Sequence, residues 1–215
     1  MVKERVGLLF KLFAHIGKRL YYKKQSKLNF LLLICIVKAV VKEYTRLNNG
    51  DIEEALKILG DTVKRETAVV VLDLIDKPVL LGIKMAIMLS KDIRDIPFDL
   101  KLAFWSILGK RASKVFEDPV LILAEDAEDN IAKIKIGMKI CPFCPEDLSE
   151  TDITPEDLGD EDFAIVMTAL GEAAVQNIED YVGNSYNIIC RETKCRLKGD
   201  EKGELTIYFY PKEEQ

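Results

Sequence analysis

The sequence predicts an α+β fold in which a helical first half packs on a small antiparallel sheet. Residues 1–117 carry apolar side chains at intervals of three and four, which is the helical period. Residues 118–215 carry β-rich runs that form two hairpins separated by a long helix. A chain of 215 residues is long enough to bury one core, so we expect a single domain over residues 1–215.

The helices of the first half are predicted from their periodicity and from their ends. The turn Asn48-Asn49-Gly50 ends the second helix, because Asn and Gly tolerate the left-handed conformation. Asp51 caps the third, and the run Val69-Val70-Val71 within it allows a strand as an alternative. The predicted helices cover residues 3–22, 26–46, 52–75, 79–90 and 100–116.

The second half predicts strands on both sides of one helix. In residues 131–140 the apolar residues Ile134, Ile136, Met138 and Ile140 alternate with Lys133, Lys135, Gly137 and Lys139, which predicts a strand with one wet face. It pairs with residues 119–124 as a hairpin. A helix over Phe163–Tyr181 and strands over 186–197 and 204–210 follow. The acidic connector before that helix, residues 145–162, is predicted to be a solvated loop.

Composition and charge exclude several classes of protein. The net charge of -5 comes from mixed charges, which argues against a nucleic-acid partner. The longest uncharged stretch, residues 28–37, is too short to span a membrane, which takes about 20 apolar residues. The N-terminus lacks a signal-peptide cleavage site, so we expect a cytoplasmic protein whose five cysteines are reduced.

The cysteines are the candidate metal ligands. Cys141 and Cys144 form a C-x-x-C turn after a strand, which is the usual half of a tetrahedral zinc site. Cys190 and Cys195 would complete it. A spacing of five on a regular strand points them to opposite faces, so both ligate one ion only if residues 191–194 form a turn or bulge. The alternatives are three cysteines with an acidic side chain, ions shared across a dimer, or four ordinary thiols.

The usual constellations of catalytic residues are missing from the sequence. His15 is the only histidine, and it lies on a helix among apolar and basic residues, where a structural role is expected. No glycine cluster has the spacing of a phosphate-binding loop. An ion held by four thiolates has no open position for water, so a metal here is expected to be structural zinc rather than catalytic.

One C-terminal motif resembles a known family. Glu192-Thr193-Lys194-Cys195, followed by Gly199-Asp200 and a last strand, resembles the four-vinyl reductase domain family, which is similar to the core subunits of the transport protein particle (TRAPP). A looser match covers residues 60–72 and the hairpin through Cys144. The resemblance implies helices on one antiparallel sheet, an apolar pocket for a hydrocarbon-like molecule, and homodimers formed through the first helices.

Three functions are compatible with these observations. The first is a non-catalytic ligand-binding or sensor domain with structural zinc, whose apolar pocket would be lined by Phe104, Trp105 and Phe163. These three residues are also compatible with a plain core role. The alternative is a TRAPP-like interaction subunit that dimerises through its first helices, and a further alternative is a metal-dependent enzyme.

The zinc hypothesis predicts that protein purified without added metal contains bound zinc, because four thiolates hold this ion tightly. Elemental analysis of the purified chain measures it. A metal-free sample would contradict the hypothesis and leave the cysteines as ordinary reduced thiols.

Overall fold

The second half of the chain forms a four-stranded antiparallel sheet, and helices cover it. The computed structural model describes residues 3–24, 30–76, 78–80, 83–84, 86, 89–140 and 153–212. The helices are α1 (Leu8–Lys24), α2 (Phe30–Leu47), α3 (Ile52–Asp76), α4 (Ile96–Leu108), α5 (Ala112–Val115) and α6 (Ile165–Val182). The strands are β1 (Pro78–Leu80), β2 (Ile83–Lys84), β3 (Val120–Ile122), β4 (Ala132–Met138), β5 (Tyr186–Lys194) and β6 (Gly203–Pro211).

The sheet has the strand order β3-β4-β6-β5, so its two hairpins are joined through β4 and β6. Ile134 of β4 lies opposite Ile207 of β6, and Ile188 of β5 lies opposite Phe209. All four side chains are buried in the main core, as the alternating pattern of β4 predicts. Ile140 lies beyond the end of β4 and is exposed. The predicted α+β fold and the two hairpins are confirmed.

Helix α6 is the central helix, because it packs on β5 on one side and on α3 on the other. Val175 of α6 is buried in the main core against the sheet. Val182, the last residue of α6, packs with Ile75 of α3. Gly183 follows in the left-handed conformation, with φ of 83°, and ends the helix as expected.

Three predicted helices differ from the structure. The described residues of 78–84 form the β1–β2 hairpin rather than the start of a helix over 79–90. The predicted helix 100–116 begins earlier, at Ile96, and breaks at Gly109, whose φ of 59° is incompatible with a helix. The first helix begins at Leu8 rather than Lys3, because Lys3 forms a parallel bridge with Ser90 instead.

Side chains of α6 cover the outer edge of strand β5. Gln176 accepts a hydrogen bond from the Ile188 amide at 2.8 Å and donates one to the Tyr186 carbonyl at 3.0 Å. Glu172 accepts one from the Cys190 amide at 3.0 Å, and its second oxygen lies 2.6 Å from Lys64 Nζ of α3. Three backbone groups at the edge of β5 are therefore satisfied by a helix instead of by a further strand.

Within the described part of the chain, none of the helices is both long enough and apolar enough to cross a membrane.

The contacts of Glu172 predict a stability effect. Replacing Glu172 by Ala leaves the Cys190 amide without its acceptor, so we expect the free energy of unfolding to fall by about 1–3 kcal/mol. Glu172→Gln keeps an oxygen at this position and should lose less. Urea denaturation measures both variants. Glu66→Ala, which removes an exposed carboxylate of α3, is the control and should change stability by less than about 0.5 kcal/mol; an equal loss in all three variants would contradict the assignment.

Candidate functional site

The second half of α3 has apolar residues on more than one face. Val71 and Ile75 pack with Ile178 and Val182 of α6. Other large apolar residues of this stretch lie outside that contact and are exposed. Their exposed fractions are 63% for Val69, 56% for Val70, 48% for Leu72 and 36% for Leu74. A helix that is apolar around most of its circumference is normally covered on all sides.

Helix α1 adds a second group of exposed apolar side chains. The exposed fractions are 84% for Leu8, 56% for Leu12 and 68% for Phe13. Strand β1 contacts α1 and begins two residues after α3 ends. We call these seven residues, Leu8, Leu12, Phe13, Val69, Val70, Leu72 and Leu74, the apolar helix surface.

Asp95 holds the N-terminal segment against α4. Its carboxylate accepts hydrogen bonds from the Val6 amide and from the Ser90 hydroxyl, both at 2.8 Å. Lys11 of α1 donates to its other oxygen. Asp95 directly precedes α4, but its side chain makes no capping hydrogen bond to that helix. It binds the Val6 amide and Lys11 instead, and so it holds α1 in place.

The contacts of Asp95 also determine its protonation. Burial alone would raise its pKa, but the hydrogen bonds from Lys11, from the Val6 amide and from Ser90 outweigh burial, so the pKa lies below its ordinary value. Asp95 is thus ionised at neutral pH. The position of α1, and with it three of the seven residues of the apolar helix surface, depends on this carboxylate.

A cavity of about 170 Å³ opens between α3, α6 and β5. Thr168 and Cys190 lie in its wall beside Gly60 and Ile165. Most of its other lining is charged, so it is a polar cavity and does not fit a hydrocarbon chain. The charged lining residues are Lys57, Asp61, Lys64, Glu161, Asp162 and Arg191.

Cys190, one of the predicted zinc ligands, is buried in the middle of β5 and faces α6. A Cβ atom added to Gly171 of α6 would lie 3.4 Å from its Sγ. Burial raises the pKa of the Cys190 thiol, and the carboxylates of Asp162 and Glu172 raise it further. In these surroundings the side chain is a neutral thiol at neutral pH.

Cys195, the second C-terminal candidate, is buried at the turn after β5. Its amide donates to Asp200 Oδ2 at 2.8 Å, and its carbonyl accepts from the Asp200 amide at 3.2 Å. Gly199 takes a φ of 97°, which favours glycine. Burial and Glu192 raise the pKa of Cys195 to about 11. The Glu-Thr-x-Cys and Gly-Asp motif thus builds the turn between β5 and β6.

Strand β5 contains the irregularity that the zinc hypothesis requires. Its pairing with β6 shifts register between Glu192 and Lys194, which is a β-bulge, although the strand continues to Lys194. Cys141 and Cys144 lie outside the described residues. Among the residues that are described, no group of three His, Cys, Asp or Glu side chains could hold a metal ion. The zinc site stays a prediction.

The three residues predicted to line an apolar pocket lie in or beside the core. Phe104 stacks on Phe116 with ring centroids 4.4 Å apart, and Phe163 is packed against two core clusters. Trp105 is half-buried, with Lys18 Nζ 5.1 Å from its ring centroid. A second cavity, of about 320 Å³, has Tyr186 and Phe209 in its wall. None of the three predicted residues lines it. Binding of an apolar ligand by Phe104, Trp105 and Phe163 stays a prediction.

Sequence reasoning missed two features of these sites. Asp162 belongs to the connector that is predicted to be solvated, yet it is buried, with an exposed fraction of only 6%. Glu172 reaches Lys64, which is far away in the sequence. The one local signal was the position of Asp162 directly before the apolar residues Phe163 and Ala164, which lead into α6 and are packed in the core.

Comparison with known proteins gives likenesses among solved structures. The chain matches no family model. It also matches no curated protein. Among solved structures it is similar to a trafficking protein particle complex subunit 3 from Naegleria fowleri covalently bound to palmitic acid, with 16% identity and a TM-score of 0.46. The likeness covers 86% of this chain and 98% of that chain.

Asp95 predicts an acid-sensitive contact. Its folded pKa is depressed, so its contribution to stability is fully present above the unfolded pKa of about 3.9 and is lost as the pH falls through the folded pKa. Asp95→Asn should lower the unfolding free energy at neutral pH by about 1–3 kcal/mol and flatten the acid limb of the stability profile. Urea unfolding at a series of pH values measures this. A variant with the parent's acid limb would refute the assignment.

Proposed function

We propose that this chain is a non-catalytic protein-interaction subunit that forms a homodimer through the apolar helix surface. The observation that supports this proposal most is the exposure of apolar residues in the second half of α3, where Val69, Val70 and Leu72 are about half exposed or more. Contiguous exposed apolar side chains on a folded domain mark contact sites. Covering them removes apolar area from water at about 25 cal/mol per Å².

A second copy fits this surface by symmetry. In a two-fold dimer each surface meets its own copy, so the exposed apolar side chains of one protomer face the same side chains of its partner.

The interaction function has more support than the ligand-binding function. The exposed apolar residues lie on the surface, where a partner can reach them, whereas Phe104 and Phe163 pack against the core. The motif around Cys195 is compatible with both functions, since the family that it resembles implies an apolar pocket as well as dimers through the first helices. In this proposal the subunit works in the cytoplasm, with its cysteines reduced.

Light scattering after size exclusion tests the dimer. The chain of 24.4 kDa should elute with twice that mass at micromolar concentration. The double variant V69D/L72D places two charges in the apolar helix surface and should shift the protein to monomer, because burying unpaired charge is unfavourable. Ile140→Asp replaces an exposed apolar residue of similar exposure (58%) outside the surface, and it should remain dimeric.

A strictly monomeric parent protein would overturn the proposal, as would a V69D/L72D variant that stays dimeric. Sedimentation with lipid vesicles tests the remaining possibility, which is that the apolar helix surface binds a membrane. A monomer that binds vesicles through α1 would assign the surface to a membrane instead of a second copy.

A further inference from the structure

A carboxyl group near the C-terminal end of α6 is buried with one of its oxygens unsatisfied. Glu179 is 1% exposed. Its Oε2 atom accepts a hydrogen bond from Asn184 Nδ2 at 2.7 Å. Its Oε1 atom is buried as well and has no hydrogen-bond partner within the part of the chain that the structure describes. An ionised carboxylate in this position lacks both water and a second donor, which is unfavourable.

Residues 89–91, which lie before α4 in the chain, pack against this end of α6. Val182 lies three residues after Glu179, on the same side of the helix. It packs with Leu89 and with Ile75 of α3. The side of α6 that carries Glu179 is therefore covered by this segment together with α3.

Asn184 joins Glu179 to the same segment. Its Nδ2 atom, which binds Glu179, also donates a hydrogen bond to the Lys91 carbonyl at 3.0 Å. The Lys91 amide in turn donates to the Lys3 carbonyl at 3.0 Å. Lys3 precedes α1, so hydrogen bonds connect Glu179 to the N-terminal residues that lead into this helix.

Among the described residues, the charged groups on these elements do not neutralise Glu179. Asp180, the next residue of α6, is negative and opposes its ionisation. The end of α3 carries Asp73 and Asp76, and its last turn contains no basic residue. Lys91 is the cation of the covering segment, and its ammonium group lies 3.8 Å from a glutamate of the N-terminal residues. Ionisation of Glu179 therefore places a negative charge in the core without a cation beside it.

The position of Glu179 determines its protonation. Burial raises its pKa to about 6 from the ordinary value of 4.5, although the hydrogen bond from Asn184 acts against this rise. When residues 89–91 move away, water reaches the carboxyl and the pKa returns toward its ordinary value. The closed arrangement, in which these residues cover Glu179, thus binds the proton more tightly than the open one. This stabilisation is fully present below pH 4.5 and is lost as the pH rises through about 6.

We propose that Glu179 forms a proton-dependent contact between α6 and residues 89–91, which is closed when the carboxyl is protonated and opens more often when it is ionised. Because these residues also bind Lys3, mild acid fixes the N-terminal segment more firmly. Asp95 cannot produce this effect, because its pKa lies below its ordinary value of 3.8 and it stays ionised above pH 4.5. The contact is separate from the polar cavity, and the proposal does not depend on dimerisation.

Hydrogen exchange of the full chain at pH 4.5 and pH 7, followed by mass spectrometry, tests the proposal. After correction for intrinsic exchange rates, the opening of residues 89–91 should increase about ten-fold between these pH values in the parent protein. Glu179→Gln has no charge to gain and should lose this increase. Asp180→Asn changes the exposed neighbour on the same helix and should keep it.

The comparison of parent and variant decides, because other carboxyls also titrate in this range; burial raises the pKa of Asp99 to about 8, for example. Glu179→Met, which is also uncharged, takes the place of Glu179→Gln if that variant does not fold. An equal increase in the parent and the uncharged variant would overturn the proposal, as would a parent without any increase. Residues 89–91 should also open at least about ten-fold more often than the amides of β4, which exchange through global unfolding. Equal opening of the two would show that no local contact opens and would overturn the proposal as well.

Discussion

One carboxylate, that of Glu172, links the three elements that surround the polar cavity. It lies on α6, accepts a hydrogen bond from the Cys190 amide of β5 and forms an ion pair with Lys64 of α3. A charged acceptor makes a stronger hydrogen bond than a neutral one, and the backbone donor is held in place by the sheet. The position of α3 against α6 follows from this bridge and from the apolar contact of Ile75 with Val182.

The same bridge holds one of the charges in the wall of the polar cavity. Lys64 lines this cavity, and its ammonium group lies 2.6 Å from Glu172 Oε1. Burial raises the pKa of Asp162 in the same wall, whereas hydrogen bonds from the Glu192 amide and from Thr168 act against this rise. The fold thus places an ion pair and a buried, hydrogen-bonded carboxylate side by side between α3, α6 and β5.

Features with a local cause could be predicted from the sequence, and long-range pairings could not. Strand β4 follows from its alternation, and α3 begins after Asp51, whose Oδ1 accepts a hydrogen bond from the Glu54 amide. The break of α4 at Gly109 also had a local signal, which the apolar run through Leu108 obscured. The ion pair of Glu172 with Lys64 has no local signal at all, because it exists only after α3 and α6 have packed together.

The edges of the sheet explain why association is expected through helices rather than through strands. An open strand edge is the usual template for pairing between copies of a chain. On one side, Gln176 and Glu172 already occupy the outer groups of β5. On the other side, β3 has only three residues, which offer too few backbone groups for a stable intermolecular ladder. With both edges blunted, the proposed association uses the exposed apolar residues of α1 and α3 instead, where burial removes apolar area from water.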